Sequence, residues 1–513
     1  MIEIRNFQPR RYQELILNSI QYKNTLVILP TGLGKTKVAI LAGVKRLNEF
    51  AESKVLFLTP TKPLADQIAK EFRSSTNLED DSVVLLTGMI PPEKRKVLWE
   101  KADVIVSTPQ GCFNDILSKK ISLSKVCLLV IDEAHRAKGS YDYVNVVRHY
   151  LEQAETPRIV GLTASPGSDY QKVLEICNNL NIEEIEARTH EDDDVKEYVQ
   201  DRKIDLIKVE LPEEIKAVRM HLEKSLHNKL ASLKTWGLIG SSQKNVSKKQ
   251  LLNLQKSIQG SLSSGEKNVR LWQGASLTAE AIKVQYAIGI LETHGVSAVK
   301  KYMHDIFESS KNITTKAIKS LAKDINFNQA YKELEKLTSD KIDHPKLAEL
   351  EKILKNELAV NDKLKVIIFT QYRDSASVIK DKLSSFGIKS KLFVGQAKKS
   401  GTGLSQKEQI EILNEFRENK FNALVATNIG EEGLDIVSVD LVIFYEAVPS
   451  AIRLIQRKGR TARQSAGKVI MLVTAKTSDE AYHWLSYRKE KQMYNVLANI
   501  KERLRNLKQK KLI

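Results

Sequence analysis

The residues of this 513-residue chain best suited to chemistry are a glycine-rich turn, Thr31-Gly32-Leu33-Gly34-Lys35-Thr36, and an acidic pair within Asp132-Glu133-Ala134-His135. Glycines in such a turn free backbone N–H groups to wrap phosphate oxygens. Lys35 can then reach the outer phosphates of a nucleoside triphosphate, and the Thr36 hydroxyl can ligate Mg²⁺. The turn follows the apolar run Thr25 to Leu29 and opens a helical segment, Lys35 to Phe50, which is the context a phosphate-binding loop requires. Candidate contacts to the triphosphate are therefore Thr31, Gly32, Gly34, Lys35 and Thr36.

The acidic pair follows Val126 to Ile131, a continuous apolar run that reads as a strand buried on both faces of a parallel sheet. Its carboxylates fall at the strand's carboxyl end, where ligands of open α/β sheets bind. Asp132 is placed to hold the metal, and Glu133 to orient or deprotonate an attacking water. An acidic pair that merely capped a helix would have no use for the upstream turn.

Short apolar runs that could form the strands holding these motifs recur at Leu26 to Leu29, Val55 to Leu58, Val83 to Leu86, Val104 to Val106, Leu128 to Ile131 and Ile159 to Leu162. A second set comprises Val366 to Phe369, Ala423 to Ala426, Leu441 to Phe444 and Val469 to Val473. Helix-length amphipathic segments separate most of them, so the expected class is α/β, with two parallel-sheet domains. Between the two sets no proline occurs from Pro212 to Pro345 and apolar residues fall mostly at helical spacing. This predicts an all-helical insertion, with loops at Gly240 to Ser242 and Ser261 to Gly265. Asp343-His344-Pro345 marks the return to the second sheet domain, since proline disfavours helix at the residue before it. The expected divisions are 1–205, 206–344, 345–484 and a basic helix over 485–513, packed back on the sheet domains.

Composition narrows the partner. The apolar fraction of 42% and charged fraction of 28% are ordinary, but the net charge is +18. Leu211 to Pro345 holds 21 basic against 13 acidic residues and Leu485 to Ile513 holds 9 against 2, so these segments contain 15 of the surplus charges. Localised basicity of this kind is expected of a nucleic-acid footprint, although a solvated lysine-rich helical surface has the same composition. Cys112, Cys127 and Cys177 show no Cys-x-x-Cys spacing, which indicates neither a disulfide framework nor a cysteine zinc site. No stretch approaches the ~20 apolar residues of a membrane span, and Met1-Ile2-Glu3-Ile4-Arg5 lacks a signal peptide's apolar core. A reducing cytoplasm is the expected location.

Further motifs follow strands. Thr163-Ala164-Ser165 can relay nucleotide state to a nucleic-acid surface, or can be a hydroxyl-rich turn before Pro166. Thr59, Lys62 and Thr108 lie in segments whose hydroxyls, N–H groups and charge suit gripping phosphates without reading bases, and which also suit ordinary turns. The second half supplies Phe369-Thr370-Gln371-Tyr372-Arg373, then Ala426-Thr427-Asn428-Ile429-Gly430-Glu431-Glu432-Gly433-Leu434-Asp435, then Gln456-Arg457-Lys458-Gly459-Arg460-Thr461-Ala462-Arg463. Arginines three apart after a glycine suit the far wall of an interdomain triphosphate site, where an arginine finger contributes ~10³ to 10⁵ in rate.

Together these residues resemble the superfamily 2 helicases, with each core motif in order, and most closely the Hef, FANCM and Mph branch. The segments that carry the likeness are Leu29 to Thr36, Thr59 to Leu64, Asp132 to Gly139, Gly161 to Gly167, Val394-Gly395-Gln396, Gly403 to Gln406 and Phe444 to Arg463. Leu29 stands where the strict phosphate-loop pattern has glycine, as in the helicase-type Gly-x-Gly-Lys-Thr form. Ala462 stands where most such helicases have glycine, which alters the expected backbone there. The resemblance implies RecA-like motor domains and ATP as the nucleotide. It implies that Arg10, Tyr12 and Gln13 recognise adenine and that Asp435 approaches the ribose. Gln456, Arg460 and Arg463 would face the phosphates, and Thr427 and Arg373 would serve the nucleic-acid track. The implied activity is an ATP-dependent helicase or translocase on branched DNA, meaning forks and Holliday-type junctions, in repair and replication restart. A sliding clamp or a nuclease is a candidate partner for the basic tail. The 29 residues after Trp484 show no acidic nuclease signature, so strand cleavage is not expected. Two other classes fit the same motifs, a double-stranded RNA-dependent ATPase and a non-catalytic nucleic-acid scaffold; intact Lys35, Thr36, Asp132, Glu133, Arg460 and Arg463 speak against the scaffold.

Overall fold

The computed structural model describes residues 1–513 other than Thr31, Met89, 190–191, 199–203, 241–245, Lys267, 313–314, Lys341, 396–402, 428–438, 447–467 and 510–513. The first sheet has seven strands: β1 (Thr25–Ile28), β2 (Lys54–Leu58), β3 (Val83–Leu86), β4 (Val104–Ser107), β5 (Val126–Ile131), β6 (Ile159–Thr163) and β7 (Glu184–Ala187). Their order is β3-β4-β2-β5-β6-β1-β7, and each pairing is parallel. All carboxyl ends therefore lie on one side. Leu26 and Ile28 of β1 enter one apolar cluster and Val27 the opposite one, because successive side chains alternate across a strand.

The second sheet contains β8 (Ile204–Val209), β9 (Val366–Phe369), β10 (Ser390–Phe393), β11 (Ala423–Ala426), β12 (Leu441–Phe444) and β13 (Lys468–Thr474) in the order β10-β11-β9-β12-β13-β8. It too is parallel throughout. The division expected at residue 205 falls inside β8, a strand of the second sheet. Ile204 to Val209 pair with Val469 to Thr474, so the chain joins the second sheet before it enters the insertion.

The insertion contains six helices among the described residues: Glu213–Thr235, Lys248–Ser263, Val269–Thr293, Val296–Lys311, Lys316–Ala322 and Ile325–Ser339. It has its own apolar cluster, including Leu222, Val284, Val299, Phe327 and Leu334. Buried Lys229 lies 2.5 Å from Asp324 and 3.5 Å from Glu280, which pairs a charge that could not otherwise be enclosed. The expected loop from Ser261 is helical through Ser263, and of the other expected loop Ser241 and Ser242 lie outside the described residues.

The tail is a single helix packed back on the sheet domains, as expected, but its start differs. Its helix, Ser478–Gln509, starts before Trp484 and runs without a break from the second sheet to the first. Met493, Val496, Leu497 and Ile500 are buried in the same cluster as Leu129, Val173 and Ile176 of the first domain. Lys501 Nζ adds a contact to Glu184 at 3.6 Å. Among the described residues no helix is long and apolar enough to cross a membrane.

Candidate active site

The turn after β1 takes left-handed backbone at Gly32 (φ 91°) and Gly34 (φ 71°), a conformation that side chains with a Cβ resist. The helix Lys35–Glu49 starts there, which brings the positive end of its dipole to the turn. Lys35 is 6% exposed and its Nζ donates to the Leu29 carbonyl at 3.0 Å, while Thr36 is also buried. The residues expected to recognise adenine sit on the same turn. Tyr12 Oη donates to the Leu33 carbonyl at 2.7 Å and Gln13 Nε2 donates to the same oxygen at 3.3 Å. Arg10 N–H donates to Gln13 Oε1 at 3.0 Å, and the Arg10 guanidinium lies 5.1 Å from the centre of the Tyr198 ring. Burial raises the Tyr12 phenol above its ordinary value despite the neighbouring Arg10.

Asp132 ends β5. Its N–H donates to the Leu58 carbonyl at 2.9 Å, and its carbonyl accepts from Tyr143 Oη at 2.7 Å. Burial, with Asp132 next in weight, pushes the Tyr143 phenol up, so it stays a donor. Glu133 is held at φ 47°, a left-handed conformation that costs a non-glycine residue about 1–3 kcal/mol and recurs at functional sites. Its Oε2 lies 3.2 Å from His135 Nδ1, which in turn lies 3.1 Å from Thr163 Oγ1. Ser165 N–H donates to that hydroxyl at 3.1 Å, and the Thr163 carbonyl accepts from Leu29 N–H at 3.2 Å. Thr163 thus joins the phosphate turn, the acidic pair and the Thr163-Ala164-Ser165 segment.

β1 and β5 flank β6, so Lys35 and Asp132 issue from strands two places apart, ~10 Å at usual strand spacing. A hydroxyl at Thr36 and a carboxylate at Asp132 are the hard oxygen donors that Mg²⁺ prefers, so these residues fit the ion.

Thr59, at the end of β2, is fully enclosed, and its N–H donates to the Ser107 carbonyl at 3.0 Å. Lys62 opens the helix Lys62–Ser75, and Thr108 precedes the helix Pro109–Leu117. In the second domain Arg373 opens the helix Arg373–Ser385 and donates from Nη2 to the Gly395 carbonyl at 3.0 Å. Thr427 is buried after β11 and donates from its N–H to the Phe393 carbonyl at 3.1 Å. Each of these residues is therefore at the carboxyl edge of its sheet. Asp435, Gln456, Arg460 and Arg463 lie outside the described residues, as does Thr31.

Residues 10–173 match the DEAD/DEAH box helicase family, 345–465 the helicase conserved C-terminal domain, and 214–341 the helical bundle of a putative ATP-dependent RNA helicase. The crystal structure of the Pyrococcus furiosus Hef helicase domain matches with a TM-score of 0.76 at 44% identity, covering 93% of this chain and 98% of that one. The chain belongs to the Hef, FANCM and Mph branch of the superfamily 2 helicases. By family it is an ATP-dependent helicase built on two RecA-like domains. A putative ATP-dependent RNA helicase of Methanocaldococcus jannaschii is 39% identical over 98% of this chain and 62% of its own length. An ATP-dependent DNA helicase of Sclerotinia sclerotiorum is 34% identical over 92% of this chain and 40% of its own. The chain thus spans less than two thirds of the length of these curated relatives.

Two residues of the helicase site were not singled out by sequence. His135 links Glu133 to Thr163, and Tyr143 supports Asp132. The spacing of Asp132-Glu133-Ala134-His135 carries a signal for the first, whereas nothing local marks Tyr143.

Proposed function

We propose that this chain is an ATP-driven motor that moves on DNA and remodels forks and junctions. The observation that carries the reading is the placement of Lys35, Thr36, Asp132 and Glu133 on the carboxyl face of one parallel sheet, with a second such sheet and a basic helical insertion attached. Thr36 and Asp132 would hold Mg²⁺, which when bound neutralises charge on the outer phosphates. Lys35 binds those phosphates, Gln13 pairs with adenine, and Glu133 orients the water and takes its proton. Glu133 is poised through His135 and Thr163, so movement of the carboxylate reaches the Thr163-Ala164-Ser165 segment. Gln456, Arg460 and Arg463 come from the second domain, and closure of the two domains completes the site. ATP favours closure by contacting both walls, and hydrolysis removes those contacts.

Thr59, Lys62 and Thr108 of the first domain and Arg373 and Thr427 of the second serve the strand. Three helices begin beside these residues, and helix N-termini favour phosphate. Alternating grip by the two domains moves the motor, while the insertion holds a second arm of a branch. The tail's inner face is already occupied by the first domain, so a clamp or nuclease recruited through it would meet the exposed Arg488, Lys491 and Arg503. Three buried thiols suit a reducing cytoplasm. A double-stranded RNA motor is the second reading, favoured by the names of the Methanocaldococcus relative and of the helical-bundle family.

Strand separation of a synthetic fork, a linear duplex and a blunt RNA duplex tests the choice, with and without residues 211–342. ATP-dependent opening of the fork, with fork preference lost in the deletion, supports the proposal. Preferential action on RNA, or unchanged fork preference without the insertion, contradicts it.

A further inference from the structure

A cleft of about 870 Å³ lies between the insertion, the carboxyl end of the second sheet and the start of the tail helix. Its walls include Tyr372 after β9, Glu446 after β12, and Lys248, Gln285, Tyr286 and His294 from the insertion. The walls are tied into one unit by buried polar contacts beneath them. Lys346 Nζ donates to Asp479 Oδ2 at 2.6 Å and to the Tyr445 carbonyl at 2.8 Å. Thr474 Oγ1 donates to the Glu292 carbonyl at 2.8 Å, and His344 Nε2 lies 3.1 Å from that same oxygen. The cleft is therefore formed before anything enters it.

The carboxylates around it are engaged. Glu446 Oε1 accepts from Thr370 Oγ1 at 2.6 Å and lies 3.2 Å from His294 Nδ1. Arg219 Nε is 3.0 Å from Glu292, whose other oxygen accepts from Ser478 N–H at 3.0 Å. Glu223 accepts from the same Arg219 at 2.9 Å and Asp479 from Lys346, so the polar groups left to a ligand are aromatic, cationic and amide, on a wall that also carries Leu226, Leu230, Val246 and Ile288. The Tyr286 and Tyr372 rings stand 6.4 Å apart at 70°, and Lys248 Nζ lies 5.0 Å from the centre of the Tyr286 ring. Gln285 donates from Nε2 to the Val246 carbonyl at 3.2 Å, while its buried Oε1 has no hydrogen-bond partner among the described residues.

Each feature selects the same chemistry. Tyrosine faces stack on a planar base, the cation meets a phosphate, and a buried amide oxygen accepts from a base N–H. The volume lies in the ~300–1,000 Å³ range of small-ligand pockets. Tyr372 precedes Arg373, so a base turned away from a backbone held at Arg373 has the cleft beside it. We propose that the cleft receives the base of an unpaired nucleotide, turned out of the strand that the second motor domain holds. This rests on the DNA-track reading above and adds a device that distinguishes unpaired DNA from continuous duplex.

The test is photocrosslinking with 5-iododeoxyuridine placed in turn at each position of the unpaired arm of a fork, on the full chain, with binding and stimulated ATP hydrolysis measured in the same samples. The expected result is crosslinking to Tyr286 or Tyr372 from one or two positions only. Tyr286→Leu should weaken binding to the unpaired arm roughly 5- to 150-fold, the equivalent of about 1–3 kcal/mol for one base stacked on one ring. Tyr286→Phe should restore it, and neither should alter binding to linear duplex. A fork that binds and stimulates hydrolysis yet crosslinks nowhere in the cleft overturns this inference alone. A fork that neither binds nor stimulates overturns the motor reading and this one with it. Equal labelling of Tyr286 by free 5-iododeoxyuridine monophosphate would assign the cleft to a free nucleotide and reject the strand.

Discussion

Gly34→Ala tests whether the turn and the adenine-recognition residues act as one unit. Gly34 has φ 71°, where an L side chain costs about 1–2 kcal/mol. A Cβ there would also stand 2.6 Å from Gln13 Nε2, closer than real contacts allow, so the amide must leave the Leu33 carbonyl it now meets at 3.3 Å. Losing that hydrogen bond adds about 0.5–1.5 kcal/mol. An empty turn can relax, so the cost falls on nucleotide binding, and about 2–3 kcal/mol corresponds to roughly 30- to 150-fold weaker affinity. In a Gln13→Ala background the clash is gone and only the backbone cost remains, which leaves a coupling of about 1 kcal/mol between the two positions. Titrating a fluorescent adenine nucleotide into the four proteins measures the cycle. Affinity within about threefold of the parent for Gly34→Ala, or the same cost in both backgrounds, would refute the reasoning.

Lys35→Ala and Glu133→Gln should lower ATP turnover at least about 100-fold while DNA binding persists, since both act on the triphosphate and not on the strand; near-normal hydrolysis in either would remove the assigned roles. Ile500→Ala leaves a cavity within the first domain's core and should destabilise that domain by about 2–5 kcal/mol, seen as an earlier unfolding transition; no shift would mean that the tail is not docked there. His344 is held to about 3, first by burial and then by Lys346, against 6.5 for an unperturbed ring. Well above pH 6.5 it is neutral in both states and contributes no pH dependence; as pH falls through 6.5 only the unfolded chain takes up the proton, and stability is lost. At about pH 5.5 the loss is about 1.4 kcal/mol relative to neutral pH, so the urea midpoint of the parent should drop between about pH 7.5 and 5.5 by more than that of His344→Gln. Glu292 is raised by burial and has the opposite sign, but it is common to both proteins. Equal slopes would contradict the assignment to His344.

The central strands of both sheets were legible because parallel strands buried on two faces are continuous apolar runs. β7, Glu184-Ile185-Glu186-Ala187, and β10, Ser390-Lys391-Leu392-Phe393, were not, because an edge strand keeps one side polar and its sequence resembles a loop. β8 was missed for a different reason: which sheet a strand joins depends on a partner more than 260 residues away in the chain. The tail's docking did leave a signal, since Met493, Val496, Leu497 and Ile500 fall at i, i+3, i+4 and i+7, the stripe of a helix with one buried face. Which domain receives that stripe is not marked in the tail, because the receiving surface is assembled from distant segments such as Leu129, Val173 and Ile176. At the site, the phosphate turn and the acidic pair were legible because both motifs are local. The contacts of His135 with Thr163 and of Tyr143 with Asp132 join segments that only the fold brings together.

The most direct test of the account is ATP hydrolysis measured with forked DNA, linear duplex, single strand and blunt RNA duplex at equal nucleotide content, with Lys35→Ala alongside. The account predicts strongest stimulation by the fork and none in the variant. Strongest stimulation by blunt RNA, or hydrolysis indifferent to all four, would contradict a motor built for branched DNA.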